Sequence, residues 1–286
     1  MLRGDWLAGV VTVPYVATLG PVHPDVPVAA VFAAVLAVAP GAFVAWDKDR
    51  RWGDHKHEWV LRQHVVQTVE RTTIPTLSRR GGGRITVYDY ARTPPELPAA
   101  RRAARTLAER CGAGSGRVVW FGGHDATVAV PATRVLLAPT GTLGPAPDEP
   151  IHPLDDCPPG VQDSFQAFAR RAEAGMAYLA HRHAAGIAGG PILVAMRRGQ
   201  VVGAIGPLQI QPDPVGALQL LPQYFTVLPE YRRGGHGRAL WRAAQRWGCH
   251  AGATYQLLQA QAGGAADRLY KGEGVRSLGL LHTLPA

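Results

Sequence analysis

Residues 226–244 read TVLPEYRRGGHGRALWRAA, and the fold turns on them. An apolar strand end at Thr226–Leu228 runs into Gly234, Gly235 and Gly237, and the chain from Arg238 to His250 predicts a helix. A glycine-rich turn feeding a helix exposes unpaired backbone N–H groups at the positive end of the helix dipole, a ready site for phosphate. Glycine is needed because a Cβ would hold a phosphate off the backbone. Neither G-x-x-x-x-G-K-[ST] nor G-x-G-x-x-G is present; the spacing is Arg232-x-x-Gly235-x-Gly237.

Upstream of the turn, PILVAMRRGQ and VVGAIGPLQI predict a hairpin with Arg197 to Gln200 as its turn, and ALQLLPQYFTV predicts a third strand. Downstream, ATYQLLQAQ predicts a strand, GAADRLYKG a short helix and VRSLGLLHTL a closing strand. PPGVQDSFQAFARRAEAGMAYLAHRHAAG predicts one long helix, with prolines at its start and Phe165, Phe168, Ala172, Met176 and Leu179 along one face.

The first half alternates in the same way. PVAAVFAAVLAVAP predicts a buried helix, GAFVAW a buried strand, and HEWVLRQHVVQTVE a helix with Trp59, Val60, Val66 and Val69 at helical spacing. RITVYDY, PPELPAARRAARTLAER and RVVWFGG follow as strand, helix and strand. PTGTLGPAPDEP, rich in proline and glycine, marks a boundary region. The division drawn is residues 1–125, an α/β domain of unknown role, and residues 126–286, which hold the glycine turn.

At 286 residues and 47% hydrophobic content the chain can bury a real core. Its formal charge of +9 suits an anionic ligand, a nucleic acid or an acidic surface, and equally an ordinary basic exterior. Cys111, Cys157 and Cys249 are widely spaced and form neither a disulfide framework nor a zinc pattern, so a reducing cytoplasm is expected. The uncharged run Val26–Trp46 contains Pro27 and Pro40 and reads as helix, turn and strand rather than a membrane span. Asp5 sits where a signal peptide carries positive charge. The alanine, arginine and glycine bias suits a GC-rich bacterial genome.

TVLPEYRRGGHGRAL resembles the GNAT superfamily of acyl-CoA-dependent N-acyltransferases, whose characteristic [QR]-x-x-G-x-[GA] motif lies at a strand-to-helix turn. AADRLYKGEGVRSLG resembles that family's A-x-x-x-Y-x-x-x-G-[FV] helix, through Ala266, Tyr270, Gly274 and Val275. The resemblance covers roughly Pro131 to the C-terminus. It implies a mixed, mostly antiparallel sheet with flanking helices, preceded by an α/β domain for which a degenerate second GNAT-like unit is one reading. It also implies acetyl-CoA, or another acyl-CoA, as cofactor. Backbone groups of Phe225, Thr226 and Val227 would pair with the pantetheine arm. Arg232, Arg233, Gly234, Gly235, His236, Gly237 and Arg238 would bind the pyrophosphate, and Tyr270 would protonate the leaving thiolate. The family often has an asparagine seven residues before the tyrosine; here Gly263 stands there.

A general base is harder to assign. Gln219, Gln223, Gln256, Gln259 and Gln261 bind substrates through hydrogen bonds but take no proton at neutral pH, and Gln219, Gln223 and Gln259 are the acceptor-binding candidates. His181 and His183, at a helix end bordering the acceptor cleft in this family, are the candidate bases; solvated helix-end histidines are the commoner case. Glu230 falls where the family keeps a structural acid, and His236 reads as reaching solvent or the phosphates. Asp47-Lys48-Asp49 has the form of a glycosyltransferase metal motif and equally of an ordinary acidic loop. His55, His57, Glu58 and His64 complete no zinc site, so no metal is expected. Arg101, Arg102, Arg105 and Arg110 read as a helix exterior.

The leading expectation is an N-acyltransferase that moves an acetyl or short acyl group to an amine of a small molecule by direct attack, without membrane or nucleic-acid partners, and with a homodimer possible. The alternatives are aminoacyl transfer from charged tRNA on the same fold, and a non-catalytic module that senses acyl-CoA.

Overall fold

The computed structural model describes residues 4–7, 9–79, 81–124, 131–140, 146, 149–172 and 174–286. The chain packs as two compact units, Met1–Leu137 with Leu257–Ala286, and Ala138–Gln256. The boundary drawn at 125/126 lies outside the described residues. Division by packing is a different matter from the division by role into 1–125 and 126–286.

The first unit opens with the small pair β1 (Tyr15–Val16) and β2 (Gly20–Pro21), then α1 (Val28–Ala37). Next come β3 (Glu58–Val60), β4 (Val66–Gln67), β5 (Arg71–Ser78) and β6 (Arg84–Ala91), then α2 (Leu97–Arg110), β7 (Ser115–Gly122) and β8 (Ala132–Pro139). β5 and β6 pair antiparallel. Through α2, β6 connects to β7, and the two run parallel from Arg84 opposite Ser115 to Asp89 opposite Trp120. The side-chain period of two divides β6 between two cores. Tyr88 and Tyr90 join Phe32 and Leu36 of α1, whereas Ile85 and Val87 join Ala104 and Leu107 of α2.

In the second unit β9 (His152–Pro153), α3 (Pro159–Arg171) and α4 (Ala174–Ala184) precede β10 (Leu193–Arg197) and β11 (Gln200–Gly206). β12 (Ile210–Pro212), β13 (Leu218–Leu220), β14 (Tyr224–Val227) and α5 (His236–His250) follow. β14, β11, β10 and β9 form one antiparallel sheet in that order. Phe165 and Phe168 of α3 pack with Met176 and Leu179 of α4 beneath it, each such side chain stabilising by about 1.5–3 kcal/mol. Leu240 and Ala244 of α5 cover the other face with Leu193 and Val202.

β15 (Tyr255–Gln261) starts in the second unit and ends in the first, followed by α6 (Ala265–Gly272) and β16 (Arg276–Pro285). β16 pairs antiparallel with both β7 and β8, so the last strand of the chain is central to the sheet of the first unit.

Three expectations are corrected. HEWVLRQHVVQTVE is β3, a short 3-10 turn and β4 rather than a helix, as its β-branched content favours. The two strands lie along β5 on either side of Pro75, which has no N–H to donate to a continuous neighbour. GAFVAW forms no strand, and the turns around it place Asp47 to accept from the Asp49 N–H at 2.8 Å. The long helix is two, α3 ending at Arg171 with Ala172 as its cap.

Candidate functional site

The predicted third strand ALQLLPQYFTV breaks at Leu221–Gln223 into β13 and β14. β13 pairs with β12 and lies parallel to the start of β15, Gln219 opposite Tyr255 and Leu220 opposite Gln256. Beyond Pro222 the strand leaves that alignment, and among the described residues β14 pairs only with β11, as the edge of the other sheet. Leu228 N–H donates to the Val202 carbonyl at 3.0 Å. Antiparallel alternation then turns Thr226 and Tyr224 toward β11, and Phe225 and Val227 toward the open edge. There the Val227 carbonyl accepts from Arg232 Nε at 3.1 Å.

The turn that follows needs its glycines. Arg233 has φ +69° and Gly235, the N-cap of α5, has φ +88° and ψ −20°, a left-handed pair that leads the chain into the helix. No side chain caps α5. The first helical bond runs from Ala239 N–H to the Gly235 carbonyl at 3.0 Å, so the N–H groups of His236, Gly237 and Arg238 stand ahead of it. A Cβ on Gly237 would lie 3.7 Å from Phe225 Cζ and 3.9 Å from Val227 Cγ2, which places this glycine against the β14 side chains.

Beside the turn is a cavity of about 530 Å³, lined by Gly234, Gly235, Arg197, Arg238, Arg242 and Glu149 among others. Three guanidinium-bearing residues and a helix N-terminus favour an anion there. His236 does not reach solvent: its side chain is buried, edge-on to Tyr231, with Nδ1 2.5 Å from Glu149 Oε2. Its backbone, not its ring, is the part available to a phosphate. Glu149 was invisible to sequence reasoning because it lies 87 residues from its partner.

The remaining candidates fall in several places. Tyr270, on α6 in the first unit, is 6% exposed, and burial pushes its pKa well up, so the phenol stays protonated. Asp267, unremarked in the sequence, fixes α6 by accepting from Arg134 Nε at 2.8 Å and from the Gly263 N–H at 2.7 Å. Gly263 itself has φ +73°, a conformation that asparagine also tolerates. His181 is exposed; His183 turns to Asp155, Nε2 to Oδ1 2.7 Å, and lies edge-on to Phe165. The α4 residues that meet β14 are Gly175 and Tyr178, the latter 6.2 Å from the Tyr224 ring. Glu230 is exposed and paired with Arg171; backbone hydrogen bonding and that arginine hold its carboxyl below the usual range. Gln223 accepts from Gln256, which in turn accepts from Gln245, whereas Gln219 lies on β13 and Gln259 is exposed on β15 in the first unit. Among the described residues no cluster of histidine, cysteine and carboxylates could hold a metal ion, and no helix is long and apolar enough to cross a membrane.

The strand thus leaves one sheet alignment just ahead of a helix N-terminus that no side chain caps among the described residues. Residues 188–275 match the Acetyltransferase (GNAT) domain family. The structure is similar to a GCN5-related N-acetyltransferase from Sphaerobacter thermophilus, 14% identical, with 92% of this chain and 87% of that chain covered and a TM-score of 0.50. A GNAT-family acetyltransferase from Colwellia psychrerythraea is 11% identical, with 84% and 90% covered and a TM-score of 0.46. A GCN5-related N-acetyltransferase from Kribbella flavida is 16% identical, with 79% and 90% covered and a TM-score of 0.44. No curated protein matches the chain. The mixed, mostly antiparallel fold is that of GNAT acetyltransferases, which supports acyl transfer from acyl-CoA in general.

Proposed function

We propose that the chain transfers an acetyl or other short acyl group from acyl-CoA to an amine of a small molecule, by direct attack in a ternary complex. The open edge of β14 above the uncapped α5 N-terminus carries this reading. Main-chain groups of Phe225 and Val227 would pair with the amides of the pantetheine arm, as an added strand does. The N–H groups of His236, Gly237 and Arg238 would take the diphosphate, with Arg197 and Arg242 supplying charge. Tyr270, kept protonated by burial, would donate to the leaving sulfur, and Gln219, Gln223 and Gln259 would orient the reacting groups. Acyl-CoA supplies the activated carbonyl; the chain supplies position.

The first unit supports a single cofactor site. Its β6–α2–β7 crossover has the same parallel connection, yet the α2 N-terminus is closed by Glu96, whose carboxylate accepts from the Ala99 N–H at 2.9 Å. A diphosphate has no place on a helix end already holding an anion. The unit reads as a degenerate copy of the same fold.

One observation favours a second reading, an acyl-CoA sensor without turnover: of the two candidate bases, His183 is engaged with Asp155 and His181 is exposed at the end of α4. Calorimetry with CoA and acetyl-CoA, followed by turnover against a panel of small amines, separates the two. Binding with turnover supports the transferase, binding without it supports the sensor, and no binding removes both and leaves aminoacyl transfer from tRNA.

A further inference from the structure

We propose that the Gln223 side-chain amide donates a hydrogen bond to the carbonyl oxygen of the acyl thioester, and that Gln256 and Gln245 are positioning residues that hold it in that sense. The inference rests on the acyl-CoA reading.

The polarity of the three amides is fixed by one backbone group. Gln256, fully buried on β15, has Nε2 3.3 Å from the Leu221 carbonyl, an acceptor that cannot be exchanged for a donor. That contact requires the nitrogen of Gln256 to face Leu221. The same nitrogen lies 2.8 Å from Gln223, which must therefore present its oxygen there. On its other side Gln256 Oε1 accepts from Gln245 Nε2 at 2.7 Å. Hydrogen bonds thus run in one direction from Gln245 through Gln256 to Gln223, and the chain ends on Gln223 Nε2. That atom is buried and, among the described residues, has no partner. A buried donor without an acceptor is costly, and a ligand oxygen is the group it lacks.

The place of Gln223 in the fold says which oxygen. A diphosphate on the α5 N-terminus, with its arm laid along β14 from Val227 back to Tyr224, brings the thioester end to the break in the strand, where Gln223 immediately precedes Tyr224. Pro222 beside it contributes no N–H to that break, and the Gln223 amide adds a side-chain donor there.

The test compares the affinities of CoA and acetyl-CoA, measured by calorimetry on the full chain. The wild type should bind acetyl-CoA about fivefold more tightly than CoA, the worth of one neutral hydrogen bond. In Gln223→Met, which keeps size and removes the donor, the ratio should fall to about one while CoA affinity is kept. Gln256→Glu supplies a second route: a carboxylate there accepts from Gln223 Nε2, reverses the amide, and should abolish the ratio with Gln223 itself intact. A ratio preserved in both variants overturns the assignment alone, as does a loss of CoA and acetyl-CoA affinity in equal proportion. A wild type that binds neither compound overturns the acyl-CoA reading, and this assignment with it.

Discussion

Substituting Gly237 by alanine should move stability and cofactor affinity in opposite directions. Gly237 is the second residue of α5 and does not have positive φ, so alanine there relieves the entropy that glycine loses in a helix, about 0.5–1 kcal/mol. The added Cβ would meet Phe225 and Val227 at 3.7 and 3.9 Å, ordinary contact distances that cost nothing. At about 2–4 °C per kcal/mol, the melting temperature should rise by about 1–4 °C. The same methyl group would tilt toward the helix N-terminus, as every helical Cβ does, and so toward the N–H groups at which we place the diphosphate. Loss of one hydrogen bond to a charged group, about 1.5–3 kcal/mol, weakens CoA binding by roughly tenfold to a hundredfold. Gly235→Ala is the control. Its Cβ would meet nothing within 4 Å, but φ is +88°, so the left-handed conformation alone should destabilise by about 1–2 kcal/mol and lower the melting temperature by about 2–8 °C. Thermal shift and calorimetry on the two variants give four signs. Wild-type CoA affinity in Gly237→Ala would refute the placement of the phosphate, and a lowered melting temperature would refute the account of the helix start.

Tyr270→Phe should lower kcat about a hundredfold and leave the Kd for CoA within about twofold, and unchanged turnover would remove the phenol from its acid role. Glu230→Gln should leave turnover unaltered, because this carboxylate is exposed and engaged with Arg171; a large fall in kcat would make Glu230 a candidate base. Burial pushes the Asp89 carboxyl up to about 6 from its ordinary 3.8, despite Arg71 Nη1 at 2.9 Å. The folded carboxyl is then the stronger proton binder, so its contribution is favourable below about pH 4 and is lost as pH rises through 6, by up to about 3 kcal/mol. Asp89→Asn should raise the urea midpoint at pH 7.5 and not at pH 4, since Arg71 keeps the Thr93 and Pro94 carbonyls; a gain equal at both pH values would contradict the cause given.

Much of the second unit was legible because its signals are local. The hairpin of β10 and β11, the glycine turn and α5 each announce themselves within about fifteen residues, through alternation, turn chemistry and helical spacing. The break at Leu221–Gln223 was marked by Pro222, but only the partners of β13 and β14 reveal that the halves belong to different sheets. The first unit was less legible. Its misread segment, HEWVLRQHVVQTVE, has apolar residues at spacings that fit a helix, and Trp59 and Val60 stand where strand pairing with β5 decides instead. The contacts that set the site escaped entirely: Glu149 with His236, Asp267 with Arg134, and Gln256 with Gln223 join residues 33 to 133 positions apart.

The two parallel crossovers of this chain show what the proposed cofactor site requires beyond topology. In the first unit β6 and β7 stay paired from Arg84 and Ser115 to Asp89 and Trp120, with no break like that at Pro222, and α2 begins after Thr93-Pro94-Pro95-Glu96 without a glycine. Glu96 then fills the helix end that a phosphate would use. In the second unit the strand before the helix gives up its alignment with β15 after Leu220, and the turn replaces the prolines and the capping acid with Gly234, Gly235 and Gly237. Each change exposes backbone that the other crossover satisfies internally and leaves it to water or to a ligand. The proposed site for an extended anionic ligand therefore rests on two local departures from regular structure, a strand opened at a proline and a helix begun by glycine without a side-chain cap, and not on the crossover that both units share.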